Sequence, residues 1–146
     1  MNFLRQFQDY VNEGIIKRCS PDKSRANFLI NEAKLSFLGL KERIDKLGIK
    51  DCYANSIIKD AYDIMMELIR AKLLLDGYNS SGSYSHEAEV SYMRVLEISE
   101  KEALFMNELR FFRNGITYYG GILDREYAEK VIKFLDKVYP KLLKIV

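Results

Sequence analysis

The residues whose types and spacing best suit chemistry are Arg110, Arg113, Asn114 and Tyr118. On a helix, positions three and four apart share a face. Arg110, Arg113 and Asn114 therefore lie together, and Tyr118, four beyond Asn114, can join them. Two guanidiniums, a carboxamide and a phenol make a donor-rich patch. A guanidinium fork holds phosphate oxygens bidentately and a carboxamide can hydrogen-bond a ribose or a base, so the patch suits a phosphate-bearing ligand. The same residues also read structurally, as a helix end held by salt bridges to Glu108 or Asp124.

Other chemistries find little support. His86 is the single histidine, which leaves no spare imidazole for a metal cluster, and its place after Ser85 at the mouth of a helix points to a capping or surface role. Cys19 and Cys52 form no CxxC pair and read as reduced thiols, so no metal and no cofactor is expected. Gly115, Gly120 and Gly121 match neither the P-loop nor the dinucleotide spacing. Glu87/Glu89 and Glu100/Glu102 are two apart and do not face each other on a helix, so they read as compensation of helix dipoles. Met65, Met66 and Met93 read as core. Lysine plus arginine total 23 against 21 acids, a net charge of +2 that argues for no partner by itself. Between Lys130 and Lys144 five lysines face only Asp136, which reads either as a solvated helix face or as a stripe turned to RNA.

The elements that must position the patch follow from the apolar periodicity. Phe3, Phe7, Tyr10 and Val11 mark a short N-terminal helix ended by Gly14, an appendage spanning 1–19. Ser20-Pro21-Asp22 starts a long helix at Pro21, whose inward stripe is Phe28, Leu29, Ala33, Phe37, Leu40, Ile44 and Leu47 before Gly48. A second long helix spans about 51–76, with Tyr53, Ile57, Ala61, Ile64, Met65, Leu68, Ala71 and Leu75 inward and Gly77 at its end. The polar stretch 77–85 reads as a loop, and 86–96 as a third helix. Ser99-Glu100-Lys101-Glu102 is a capping box for a fourth helix, which carries the Arg-Asn patch. Asp124 caps a last helix, kinked or ended just before Pro140. No stretch alternates at period two, so no strand is expected. The expectation is one all-α domain, an antiparallel up-down bundle of four to five helices over 20–146 plus the short N-terminal helix. No apolar run approaches the ~20 residues that a membrane-spanning helix needs, and Arg5 and Asp9 interrupt the first apolar segment, so neither membrane nor secretion is expected and the compartment reads as cytoplasmic.

From about Ser24 to Leu143 the chain resembles the HEPN domains, a family of small all-α bundles. The likeness runs from Ala26-Asn27-Phe28-Leu29-Ile30-Asn31-Glu32-Ala33, through Ala61-Tyr62-Asp63, Leu73-Leu74-Leu75-Asp76-Gly77-Tyr78 and Ser85-His86-Glu87, to Arg113-Asn114. Family members carry an Arg, usually followed by Asn or another polar residue, and a His four to six positions beyond the Arg. Arg113 and Asn114 match the first two, and Tyr118 stands where the His would be. The resemblance implies a homodimer whose two motifs meet across a cleft. The aromatics Phe111, Phe112, Tyr118 and Tyr119 beside the polar patch suit such an interface.

Catalytic members of the family are metal-independent endoribonucleases in which the Arg holds the scissile phosphate and the His helps activate the ribose 2′-hydroxyl. A phenol, with only about one in a thousand molecules ionised at neutral pH, is a poor general base. The implied function is therefore binding of nucleotide or RNA phosphate at Arg110, Arg113, Asn114 and Tyr118 with little catalysis. Two alternatives stand beside it. In one the chain is an endoribonuclease toxin of a HEPN/nucleotidyltransferase toxin–antitoxin pair, with Arg113, Asn114 and Tyr118 as its catalytic positions. In the other it is a non-catalytic partner subunit of a small nucleotidyltransferase. Family antitoxins can adenylylate a Tyr shortly after the His; here the position two beyond Tyr118 is Gly120.

Overall fold

The structure is a computed structural model; it describes residues 3–118 and 124–146, with the backbone alone for 116–118. Its elements are α1 (Phe7–Asn12), β1 (Ile16–Arg18), α2 (Lys23–Leu47), α3 (Asp51–Leu75), β2 (Tyr78–Ser80), α4 (Ser85–Ser91), α5 (Glu100–Tyr118) and α6 (Arg125–Ile145). The class is all-α, a helical bundle with one small two-stranded ribbon. No described helix is long and apolar enough to cross a membrane.

α3 is the centre of the bundle, in contact with α2, α4, α5 and α6. A helix covered on several sides needs apolar residues on more than one stripe. Accordingly Ile57, Ile58, Ala61, Tyr62, Ile64, Met65, Met66, Leu68 and Ile69 are all buried. α2 packs along α3 through a narrower seam. Ala26, Ala33 and Leu40, seven apart, are its fully buried positions, a coiled-coil spacing. The wider stripe expected from the sequence is corrected on this point: Phe28 is 63% and Leu47 50% exposed. α2 begins at Lys23, two residues later than its sequence suggests. Asp22 is its N-cap, its carboxylate accepting the Arg25 N–H at 3.0 Å, so Pro21 lies outside the helix.

Two further expectations are corrected by the ribbon. β1 pairs antiparallel with β2, Ile16 opposite Ser80 and Arg18 opposite Tyr78, within what the sequence presents as an all-helical chain with a loop over 77–85. Strands of three residues are too short to display a period of two. The ribbon closes tightly at Gly77 (φ 83°), whose carbonyl accepts the Cys19 N–H at 2.8 Å and where a Cβ would stand 2.9 Å from the Cys19 carbonyl oxygen. The N-terminal helix is likewise built in and does not stand apart as an appendage. Leu4, Phe7 and Tyr10 are buried in the main core, and the Phe7 ring packs on Tyr92 and Tyr78 at 4.6 and 5.3 Å.

The helix expected over 86–96 ends at Ser91 and continues as a 3-10 turn, Tyr92–Arg94. Both later caps form as their sequences dictate. Ser99 Oγ accepts the Glu102 N–H at 3.1 Å, and Asp124 accepts the Tyr127 N–H at 2.9 Å. α6 runs on through Pro140, so of the kink or end expected there the end is not found. Proline inside a helix costs ~3 kcal/mol. Burial of Val138, Tyr139 and Leu142 around it, each worth about 1.5–3 kcal/mol, offsets that cost.

Glu89 departs most from its sequence reading. It is 1% exposed, and accepts Arg70 Nε at 2.7 Å, Arg70 Nη2 at 3.0 Å and Ser80 Oγ at 3.2 Å, tying α3, β2 and α4 together. It is an internal ion pair and no dipole compensator. Removing one partner of such a pair strands the other, although Arg70, 28% exposed, keeps a path to water. Glu89→Ala should lower the unfolding free energy by about 2–3 kcal/mol in chemical denaturation, whereas Glu42→Ala, which breaks the exposed Lys46 pair, should cost below about 0.5 kcal/mol.

Candidate functional site

The capping box at Ser99 sets the register of α5. Ala103, Met106 and Asn107 lie on the face that is fully buried, and one to two turns on the same face carries Arg110, Arg113 and Asn114. There the helix leaves the core, and a cleft of about 610 Å³ opens between α3, the 82–85 turn, α4 and α5. α5 lines it with Arg110, Arg113 and Asn114; α3 contributes Tyr62 and Asp63; the turn and α4 contribute Gly82, Ser83, Ser85, His86 and Glu87.

The two arginines have different surroundings. Arg110 is 12% exposed, donates from Nη2 to Glu87 Oε1 at 3.2 Å and from Nε to Asn107 Oδ1 at 3.0 Å, and lies 4.6 Å from the Phe111 ring centroid. Glu87 also accepts the Tyr10 hydroxyl at 2.7 Å and faces Arg5 at 3.7 Å. Burial, with this bond to Glu87, pushes the Tyr10 phenol up to about 12. Arg113 instead faces Asp63 at 3.6 Å, with side-chain exposures of 33% and 50%, a long and solvent-screened ion pair. Burial raises the Asp63 carboxyl above its usual range, against the pull of Arg113. The braces considered from sequence serve elsewhere: Glu108 accepts the Tyr127 hydroxyl at 2.6 Å, and Asp124 caps α6.

Tyr62 adds a feature that its sequence hides. Tyr62 lines the cleft, and its hydroxyl is buried with no hydrogen-bond partner among the described residues. A buried hydroxyl without a partner costs about 1–3 kcal/mol. Burial raises the phenol well above its ordinary value, so it stays protonated and is a donor.

The structure thus brings Arg110, Arg113 and Asn114 to one cleft. Tyr118 is the last residue of α5, and its side chain lies outside the described residues, as do Tyr119, Gly120 and Gly121. His86, read from sequence as a cap or surface residue, is exposed but lines the same cleft, within electrostatic reach of Asp63. Tyr84 holds the N-cap position of α4. Tyr62, Asp63 and His86 are the residues that sequence reasoning missed; their only signal was Ala61-Tyr62-Asp63 and Ser85-His86-Glu87, whose closeness to Arg113 is tertiary. Among the described residues no cluster of His, Cys, Asp or Glu is arranged to hold a metal ion, and Cys19 and Cys52 are exposed thiols.

The lysine-rich face of α6 is partly neutralised. Lys141 and Lys137 reach Glu102 at 2.9 and 3.7 Å, and Lys130 lies over the Phe105 and Tyr127 rings at 5.1 and 5.7 Å. Comparison of the chain with protein-family models, with curated proteins and with solved structures finds no match.

The two arginines should separate in a stability measurement. Arg110→Ala should lower the unfolding free energy by about 1.5–3 kcal/mol, because the half-buried Glu87 and the buried Asn107 each lose the guanidinium that donates to them; Arg113→Ala should cost below about 1 kcal/mol. Equal losses would mean that Arg113 is as structural as Arg110.

Proposed function

We propose that the chain is a HEPN-like protein that binds nucleotide or RNA phosphate in the Arg113/Asn114 cleft. The observation that carries this reading is the cleft that gathers Arg113 and Asn114 with Tyr62, whose buried hydroxyl has no hydrogen-bond partner among the described residues. A phosphate oxygen offers Tyr62 an acceptor and Arg113 a charge-assisted partner, and Asn114 adds a carboxamide for a ribose or base. Arg110 serves as the brace of the cleft wall. Pairing of two copies across the cleft belongs to the same reading: Phe111, 48% exposed, stands beside Arg110. Phe112 packs inward on Tyr127 at 5.0 Å. A second reading, metal-independent endoribonuclease, is favoured by one observation, the imidazole of His86 in the same cleft.

Arg113→Ala should weaken binding of a short oligoribonucleotide by about 10- to 150-fold, the equivalent of one charge-assisted interaction of about 1.5–3 kcal/mol. Fluorescence anisotropy checks this. Unchanged affinity, or no binding by the wild type, would overturn the reading. Sedimentation at micromolar concentration should show a dimer; a 17.1 kDa monomer would remove the pairing. Cleavage of RNA in EDTA by the wild type, absent from Arg113→Ala, would put the endoribonuclease reading first; RNA left intact would set it aside.

A further inference from the structure

We propose that His86 is an anion ligand of the cleft in its imidazolium form, so that a bound phosphodiester draws a proton onto the site. The inference deepens the phosphate-binding reading and rests on it. Its starting point is the balance of charge. The two guanidiniums of the cleft are each faced by a carboxylate, Arg110 by Glu87 and Arg113 by Asp63. Arg5, the further cation near Glu87, is itself bonded to Glu13 at 2.8 Å. An incoming phosphate therefore meets a site whose fixed charges nearly cancel, and the gain from Arg113 is set against repulsion from Asp63.

One group lining the cleft, His86, can add a positive charge by taking up a proton. Imidazole is the side chain that ordinarily changes charge between pH 5 and 8. His86 acts electrostatically on Asp63 of α3, which Asp60 also affects, and shares the cleft lining with the protonated Tyr62 of α3, with Arg110 and Arg113 of α5 and with Glu87 of its own element, while Ser83 and Ser85 are neutral. Its protonation turns a cancelled site into a net positive one, and a bound anion favours the protonated form in return, because the linkage is reciprocal. Affinity should thus rise as pH falls through the imidazole range. A neutral His86 would leave the phosphate with Arg113, Tyr62 and Asn114 alone.

The test uses a 2′-O-methyl oligoadenylate trimer with hydroxyl ends. It cannot be cleaved through its 2′-oxygen, and it lacks the terminal phosphate that would itself titrate near pH 6. Wild-type affinity should tighten by about 5- to 10-fold from pH 8 to pH 6, a coupling of ordinary size. His86→Gln, at an exposed position, should give a flat profile over the same range. Asp63→Asn, which removes the carboxylate that faces Arg113, should keep the dependence. A flat wild-type profile, or an undiminished slope in His86→Gln, would overturn the proposal while leaving the phosphate-binding reading in place. Absence of binding at every pH would overturn both.

Discussion

Glu87 accepts the Tyr10 hydroxyl at 2.7 Å and the Arg110 guanidinium at 3.2 Å, and those bonds join parts of the chain that lie far apart in sequence. A half-buried carboxylate thus bridges α1, α4 and α5, beside the core packing of Leu4, Phe7 and Tyr10. Its neighbour His86 is thereby set at the mouth of the cleft, and the next turn of α5 presents Arg113 and Asn114 beside it. The N-terminal segment is thus part of the cleft's support. Its aromatic packing on Tyr78 and Tyr92, and the β1–β2 ribbon, fix the strand from which the 82–85 turn departs.

The division of labour between the arginines follows from burial. Charge-assisted bonds in a largely desolvated setting resist exchange, whereas a long pair between half-exposed groups exchanges readily with water or another anion. Arg110 belongs to the first kind and Arg113 to the second. Tyr62 points the same way. A folded protein rarely leaves a buried hydroxyl without a partner, and the exceptions ask for a functional explanation.

Much of this was legible in the sequence wherever the determinants are local. The capping box at Ser99, the Asp124 cap and Gly48 as the end of α2 are signals read within four residues, and each is where the structure puts it. The shared face of Arg110, Arg113 and Asn114 is helical geometry and needed nothing more. What stayed hidden is tertiary. Ile16–Arg18 finds its partner strand across the whole α2–α3 hairpin, and the Glu89–Arg70 pair joins different elements. His86 and Tyr62 reach the cleft from α4 and α3, and no spacing within either helix foretells it. α2 misled for a different reason: its long apolar stripe exceeds the narrow seam that α3 covers, which leaves Phe28 exposed.

The central claim is that a phosphate-bearing ligand enters the Arg113 cleft and not the lysine-rich face of α6. Side-chain NMR of the full chain, titrated with the same 2′-O-methyl trimer, tests it most directly. The Arg113 Nε–H, the Asn114 carboxamide and the Tyr62 ring should shift together on one saturable curve, with Lys130, the Phe105 ring and the Phe134 ring packed on it at 4.6 Å unmoved. Shifts confined to Lys130, Lys137 and those phenyl rings, with Arg113 and Tyr62 silent, would contradict the account.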